Sequence, residues 1–366
     1  MTSRTGKRAV LTGANQPIEI WERESPGAGP GEAVLKLEFG GVCGTDVHFW
    51  HGEVPLPGPV VLGHEGIGII EELGEGLATD SAGSPIAIGD RVYWQPVTPC
   101  NHCYPCTILN DVSMCENAFA SLFGDANAPT PSTYSEVITL GAGLPFYKLP
   151  DDTSSEAVIA FGCAMPTMLQ GMERLGGIQA GQTVVVQGSG PVGLAATMLA
   201  HLAGAHQVIM IGAPAPRLEM ARKLGADHTI DITQITSVAE RTERVRELTN
   251  GRGAEVVIEA AGVLEAFSEG LQLVAPSGRY LIVGLWSAPG TVAVEPRLIN
   301  NGNLQIIGTA LAGPRHLYQA IQVAQMQQSR LPMAEAITHR FTVEQSQQAL
   351  EAVAAQETVK AVLVPG

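Results

Sequence analysis

"VVVQGSGPVGLAATMLA", residues 184–200, decides how the rest of the chain is read. Its valines read as a buried strand, and its Leu/Ala/Met run reads as a helix. Between them Gly188, Gly190 and Gly193 stand in G-x-G-x-x-G spacing. Directly after a strand, such glycines give a tight turn, close approach of backbone to a pyrophosphate, and close helix–strand packing. Pro191 and Val192 lie in the same loop and helix start. The helix N-terminus there offers free amides and a positive dipole end to phosphates. In a chain with 42 glycines the motif alone is weak evidence, but strand, helix and following units agree. The expectation is a nucleotide-binding, doubly wound parallel sheet.

Outward from this stretch, "QVIMIG", "AEVVIEAAG" and "GRYLIVGLW" are further strand candidates separated by helical patterns such as "PRLEMARKLGA". Strands alternating with helices imply a parallel sheet covered on both faces. The region before residue 150 has another texture: short β-branched runs such as "AVLKLEF", "GIGIIEEL" and "SEVITL", broken by Gly and Pro. After about residue 303 come "NLQIIGTAL", two helix candidates and the closing strand "KAVLVPG". The second helix candidate opens with Thr342 and Gln345 in capping-box spacing. The second strand of the nucleotide unit should end in an acid that accepts bonds from the ribose hydroxyls; it ends at Gly212. Arg217, a few residues on, is either a phosphate partner or a solvated helix residue. The choice between NAD and NADP stays open.

The chain has 366 residues, which favours two domains over one. A formal net charge of −15 would repel a phosphate backbone and disfavours nucleic acid as a partner. No run of eighteen apolar residues predicts a membrane span, and no signal peptide is expected at the N-terminus. A large chain of this kind is expected to be cytoplasmic, with its six cysteines reduced and free for metal.

"PCNHCYPCTILNDVSMCE" supplies Cys100, Cys103, Cys106 and Cys115 on a turn-rich loop. Four thiolates converging on one ion make a closed, structural zinc site, and His102 is flanked by better ligands. Cys43 and Cys163 remain, together with "GVCGTDVHFWHGEVPLPGPVVLGHEG", residues 41–66. A catalytic zinc takes three protein ligands distant in sequence and keeps a position open. Cys43, His64 and Cys163 fit that count. Cys163 alone also reads as a small buried hydrophobe.

Taken together, "GVCGTDVH", "VLGHEGIGII", "GDRVYWQP", the four-cysteine loop, "GCAMPT", "GSGPVG", "RLEMARKLGAD" and "VKAVLVPG" resemble the zinc-dependent medium-chain alcohol dehydrogenases in order and spacing, over nearly the whole chain. The resemblance implies an α/β protein with a GroES-like, β-rich catalytic domain and a Rossmann coenzyme domain. The implied division is residues 1–164 and 304–366 for the catalytic domain and 165–303 for the coenzyme domain. It also implies two zinc ions, one catalytic on Cys43, His64 and Cys163, with Glu65 beside it or exchanging onto it. The other is structural, on Cys100, Cys103, Cys106 and Cys115. Thr45 is then expected at the substrate hydroxyl, His48 at the end of a proton relay, and Asp46 as the partner that orients His64. Thr167, Val283, Leu285, Thr309 and Leu311 are expected to line the nicotinamide, and Lys360 to contact the pyrophosphate.

Two features depart from the family pattern. The gap from Cys106 to Cys115 is one residue longer than is common, and Gly212 replaces the acid of NAD-using members. Cys163 favours alcohol dehydrogenases over sorbitol- and threonine-type relatives, which usually carry a glutamate there. The implied reaction is reversible hydride transfer between a nicotinamide cofactor and an alcohol or carbonyl. Trp50, Tyr93, Trp94, Phe119, Leu285 and Trp286 are pocket candidates that point to a hydrophobic primary or secondary alcohol. His51 has no assigned role. Alternatives are a polyol or amino-alcohol dehydrogenase on the same scaffold, or a non-catalytic zinc-stabilised binding protein. The resemblance implies a homo-oligomer, dimer or tetramer.

Overall fold

The computed structural model describes residues 4–56, 58–118, 122–286 and 290–366, the side chain of Trp286 excepted. The chain forms two units, residues 1–163 with 313–366, and residues 164–312.

In the second unit six parallel strands lie in the order His228–Asp231, Gln207–Gly212, Thr183–Gln187, Ala254–Glu259, Val274–Ile282, Gln305–Gly308. Chain order therefore runs outward in both directions from Thr183–Gln187, and the switch point that binds ligands in open α/β sheets lies beside that strand. Covered on both faces, Val184, Val185 and Val186 are 0% exposed, so the run has no polar alternation to show. The strand Gln305–Gly308 pairs in register with Val274–Ile282. This pairing carries the unit nine residues beyond the expected boundary at 303, to residue 312. The cue in the sequence was weak because this edge strand is mostly exposed.

The first unit is built on a sheet ordered Ile337–Thr342, Lys360–Val364, Ala33–Val42, Gly66–Leu73, Arg91–Trp94, Phe146–Lys148, with Val137–Leu140 also pairing Ala33–Val42. The closing strand Lys360–Val364 runs antiparallel to Ala33–Val42 and so brings both chain ends into one domain. A smaller sheet orders Glu19–Ser25, Arg4–Leu11, Val60–Val61 and Gly124–Asp125. Thr342 and Gln345 do form a capping box, although they cap a short 3-10 turn, Val343–Gln345, that leads into the helix Ser346–Ala354.

Candidate metal and cofactor sites

Cys43 is the N-cap of a short helix, Gly44–Trp50. The Cys43 N–H donates to Asp46 Oδ2 at 2.9 Å, and the N–H of Gly63 donates to Asp46 Oδ1 at 3.2 Å. A single buried carboxylate thus ties the cysteine turn to the residue preceding His64. The same Oδ1 lies 3.4 Å from His64 Nδ1, an ion-pair distance rather than a well-formed hydrogen bond. Because Thr45 and His48 are three apart on this helix, they share the partly exposed face, while Asp46, Val47 and Phe49 turn inward.

Cys163 reaches the same place from the far side of the sequence. The hydroxyl of Tyr93 donates to the Gly162 carbonyl at 2.8 Å, and the N–H of Cys163 donates to Glu65 Oε1 at 2.9 Å. A side chain at Gly41 or Gly162 would overlap the Glu65 carboxylate, so both glycines make room for a buried acid. Ligand atoms of Cys43, His64, Glu65 and Cys163 all lie within 4.8 Å of one another.

The Cys43 and Cys163 sulfurs are 3.7 Å apart. That is far longer than a disulfide of about 2.05 Å. It matches the roughly 3.8 Å separating two sulfurs that each sit 2.3 Å from a tetrahedral zinc. The bond to Cys163, helped by His64, holds the Cys43 thiol well below its ordinary range, while the same bond and burial push Cys163 well up. Burial opposes charge on His64, but Asp46 and Cys43 outweigh it and raise its pKa well above the usual imidazole value. Two thiols, one of them with a lowered pKa, and an imidazole braced by a carboxylate form a donor set that suits a divalent cation.

In the second cluster, Cys100, Cys103, Cys106 and Cys115 also lie within 4.8 Å of one another. Backbone N–H groups of Cys100 and Asn117 point at the Cys115 sulfur, at 3.3 and 3.4 Å. The long gap closes through Asn110, whose φ of 52° turns the chain back, and through Asp111, which caps the 3-10 turn Val112–Met114. The extra residue is absorbed before Cys115, which stays with its three partners. Two of the thiols are pulled in opposite directions. The His102 N–H helps draw Cys100 down to about 6, and burial pushes Cys106 up to about 12. A shared divalent cation resolves that conflict. His102 itself is exposed, with Nδ1 2.7 Å from the Cys100 carbonyl.

In the nucleotide unit Gly188 has φ 98°, and an added Cβ would lie 2.5 Å from the Ala260 carbonyl; a Cβ at Gly193 would overlap the Gly188 carbonyl. Gly190 faces open space and caps the helix Pro191–Leu202, where Pro191 and Val192 form the first turn. Turn, open approach and tight packing therefore fall on the three glycines in the expected order. Gly212 ends its strand with no room for an acid, since a Cβ there would sit 2.7 Å from Ser189 Oγ. Arg217 lies in the first turn of the helix Ala215–Lys223, and burial lowers its guanidinium pKa. Thr167 is half-buried on the helix Ala164–Arg174. Val283 and Leu285 follow the strand Val274–Ile282, and Thr309 and Leu311 follow Gln305–Gly308, at the carboxyl ends where open α/β sheets bind ligands. Leu311 has φ 57°, an uncommon conformation for a leucine.

Three expected roles change. Lys360 is 2% exposed, and its ammonium donates to Glu65 Oε2 and to the Val42 carbonyl, so it braces the metal cluster and is not open to a pyrophosphate. Tyr93 and Trp94 are each 1% exposed, and Trp94 Nε1 donates to the Pro131 carbonyl; both are core residues and not pocket wall. His51 is exposed on the rim, 4.0 Å from Glu53. Of the other pocket candidates, Trp50 is half-buried with its N–H on the Gln16 carbonyl, and Leu285 is half-buried. Phe119 and the side chain of Trp286 lie outside the described residues. Motif spacing did not reveal Glu259, which is 0% exposed. Its carboxylate accepts from the N–H groups of Ala261, Gly262 and Gly284 and so fixes two loops at the cofactor edge.

Residues 191–326 match the family model described as zinc-binding dehydrogenase, and residues 29–151 match the alcohol dehydrogenase GroES-like domain. The chain is 44% identical to 5-exo-hydroxycamphor dehydrogenase of Pseudomonas putida over 98% of each chain. An alcohol dehydrogenase from Thermotoga maritima superposes with TM-score 0.91 at 29% identity, covering 99% of this chain and 100% of the other. A putative zinc-binding dehydrogenase from Sinorhizobium meliloti, bound to NADP, gives TM-score 0.84 at 26% identity over 99% and 100%. With the two cysteine clusters and the glycine loop in place, the chain belongs to the zinc-dependent medium-chain alcohol dehydrogenase family, oxidoreductases acting on alcohol groups.

Proposed function

We propose that the protein oxidises bulky apolar alcohols, cyclic secondary ones above all, and reduces the matching ketones and aldehydes. It does so with one catalytic and one structural zinc per chain. The observation that carries the reading is the 3.7 Å spacing of Cys43 and Cys163 beside His64. The substrate class draws support from the relative named for a hydroxylated camphor.

Cys43, His64 and Cys163 would hold the catalytic ion, with Glu65 on the Cys163 N–H and on Lys360. When bound, zinc makes the alcohol proton easier to lose and the nicotinamide takes the hydride. Thr45 sits one turn-position from Cys43 Sγ, at 3.6 Å, where its hydroxyl takes the hydrogen bond of the substrate. His48 carries the proton outward: it is half-exposed, and its Nδ1 lies 2.6 Å from Glu53 Oε2. Asp46 fixes the ring of His64 between its carboxylate and the Cys43 sulfur.

Gly188, Gly190 and Gly193 hold the pyrophosphate, and Thr167, Val283, Leu285, Thr309 and Leu311 the nicotinamide. With Gly212 in place of an acid, the main device for repelling a 2′-phosphate is missing, so NAD and NADP are both accepted. The chain works as a homo-oligomer in the cytoplasm.

The test is an activity matrix of NAD and NADP against cyclohexanol, bicyclic secondary alcohols, benzyl alcohol, sorbitol and threonine. Bicyclic and cyclic alcohols are expected to exceed sorbitol in kcat/KM by about a hundredfold, roughly what 3 kcal/mol of lost apolar burial yields. Sorbitol or threonine leading the series would replace this reading with a polyol or amino-alcohol dehydrogenase.

A further inference from the structure

A cavity lies in the first unit, on the strand pair Arg4–Leu11 and Glu19–Ser25. Its volume is about 490 Å³, and its walls are Arg8, Arg23, Glu24, Ser25 and the loop residues Asn127 and Ala128, closed by prolines. This lies within the size range of small-molecule sites.

In the antiparallel register Arg8 pairs with Trp21, so Arg8 and Arg23 project on the same face of the pair. Arg8 is 4% exposed, yet the acceptors bonded to it are the carbonyls of Ala126 and Ala128, at 3.3 and 2.6 Å, both reached by Nη1. Arg23 bonds the Asn127 side-chain oxygen at 3.3 Å and the Glu22 carbonyl at 3.4 Å, and its guanidinium lies 4.7 Å from the centre of the Trp21 ring.

No carboxylate among the described residues pairs with either guanidinium. Glu24 is exposed on the cavity wall and makes no ion pair with them. The two arginines sense each other instead: burial lowers the Arg8 pKa, and Arg23 lowers it further. In a chain of 36 acidic and 21 basic residues, two adjoining unneutralised guanidiniums, one of them buried, are conspicuous. The hydroxyl of Ser25, 2% exposed on the same wall, has no hydrogen-bond partner. Two fork-shaped cations, an unpartnered hydroxyl and an amide around one cavity are what a planar carboxylate or a phosphate group needs.

We propose that this cavity is a binding site for a small organic anion carrying a carboxylate or phosphate group, separate from the metal cluster and the glycine loop. Arg23 supplies the adjustable contact. Arg8 supplies a fixed charge held by the 126–128 loop.

Calorimetric titration of zinc-replete enzyme, saturated with NADH so that the glycine loop is filled, tests this with inorganic phosphate and with citrate as probes. Each is added to the wild type, Arg23→Glu and Ser25→Ala. The expected result is one site per chain for at least one probe, with Kd below about 1 mM. Arg23→Glu should weaken it at least tenfold and Ser25→Ala more mildly, with turnover and Tm unchanged in both. Phosphate binding alone identifies a phosphoryl ligand, and citrate binding alone a carboxylate. No binding of either probe up to about 10 mM, or equal binding by wild type and Arg23→Glu, overturns the proposal.

Discussion

At the scale of single residues, three side chains from distant parts of the chain become one donor set only through what holds them. On the proposed reading, replacing Cys43 with Ala removes a ligand of the catalytic ion. Turnover is expected to fall at least a thousandfold, about 4 kcal/mol of lost transition-state stabilisation, while NADH still binds. Fluorescence titration of NADH beside steady-state kinetics checks both halves. Asp46→Asn leaves the ligands in place but loosens His64 and the Cys43 turn. Zinc affinity should drop about 10–100-fold, measured by competition with a chromophoric chelator.

The convergence of Cys43, His64 and Cys163 was legible in the sequence because each stands in a quoted motif, "GVCGTDVH", "VLGHEGIGII" and "GCAMPT". Lys360 was expected at the pyrophosphate on the family resemblance of the closing strand, and its partner was not foreseen. Only the pairing of Lys360–Val364 with Ala33–Val42 brings its ammonium to Glu65. Tyr93 and Trp94 misled for a related reason: aromatic bulk in a strand looks the same whether it walls a pocket or fills a core.

At the scale of elements, the four-cysteine loop has little regular structure beyond the short helix Tyr104–Thr107 and one 3-10 turn. On the proposed two-zinc reading its order comes from the cation, so Cys103→Ser should remove one zinc and lower Tm by several degrees. It should leave kcat near wild type below the transition, because the catalytic ligands lie elsewhere. The loops at the cofactor edge depend on Glu259. Burial raises its pKa, against the pull of four backbone N–H groups. A carboxyl with a raised folded pKa binds its proton in the native state while the unfolded chain has already lost it. Its contribution to stability therefore falls as pH rises through the window above the ordinary glutamate value. Denaturant unfolding of wild type and Glu259→Gln across that window should show the difference, wild type minus variant, decreasing with pH. A flat difference would mean that Glu259 titrates as it does in the unfolded chain.

For the whole molecule, the doubly wound parallel sheet of the second unit followed from a glycine motif and alternating strands and helices, while its strand order came from the structure. The extent of that unit did not follow from the sequence either. The strand Gln305–Gly308 belongs to the sheet by hydrogen bonds to Val274–Ile282, and its exposed residues gave no apolar run to mark it. As the last strand of its sheet it leaves one backbone edge unpaired among the described residues, with Ile306 37% exposed on it. Such an edge is a template for a second copy. Light scattering is expected to show a homo-oligomer, and Ile306→Lys should shift it toward smaller species.

The most direct measurement is zinc content per chain on wild type, Cys43→Ser and Cys103→Ser, read beside turnover. The account predicts two, one and one, with activity lost in Cys43→Ser and retained in Cys103→Ser. One zinc in the wild type, or an active Cys43→Ser enzyme that still holds two, would contradict it.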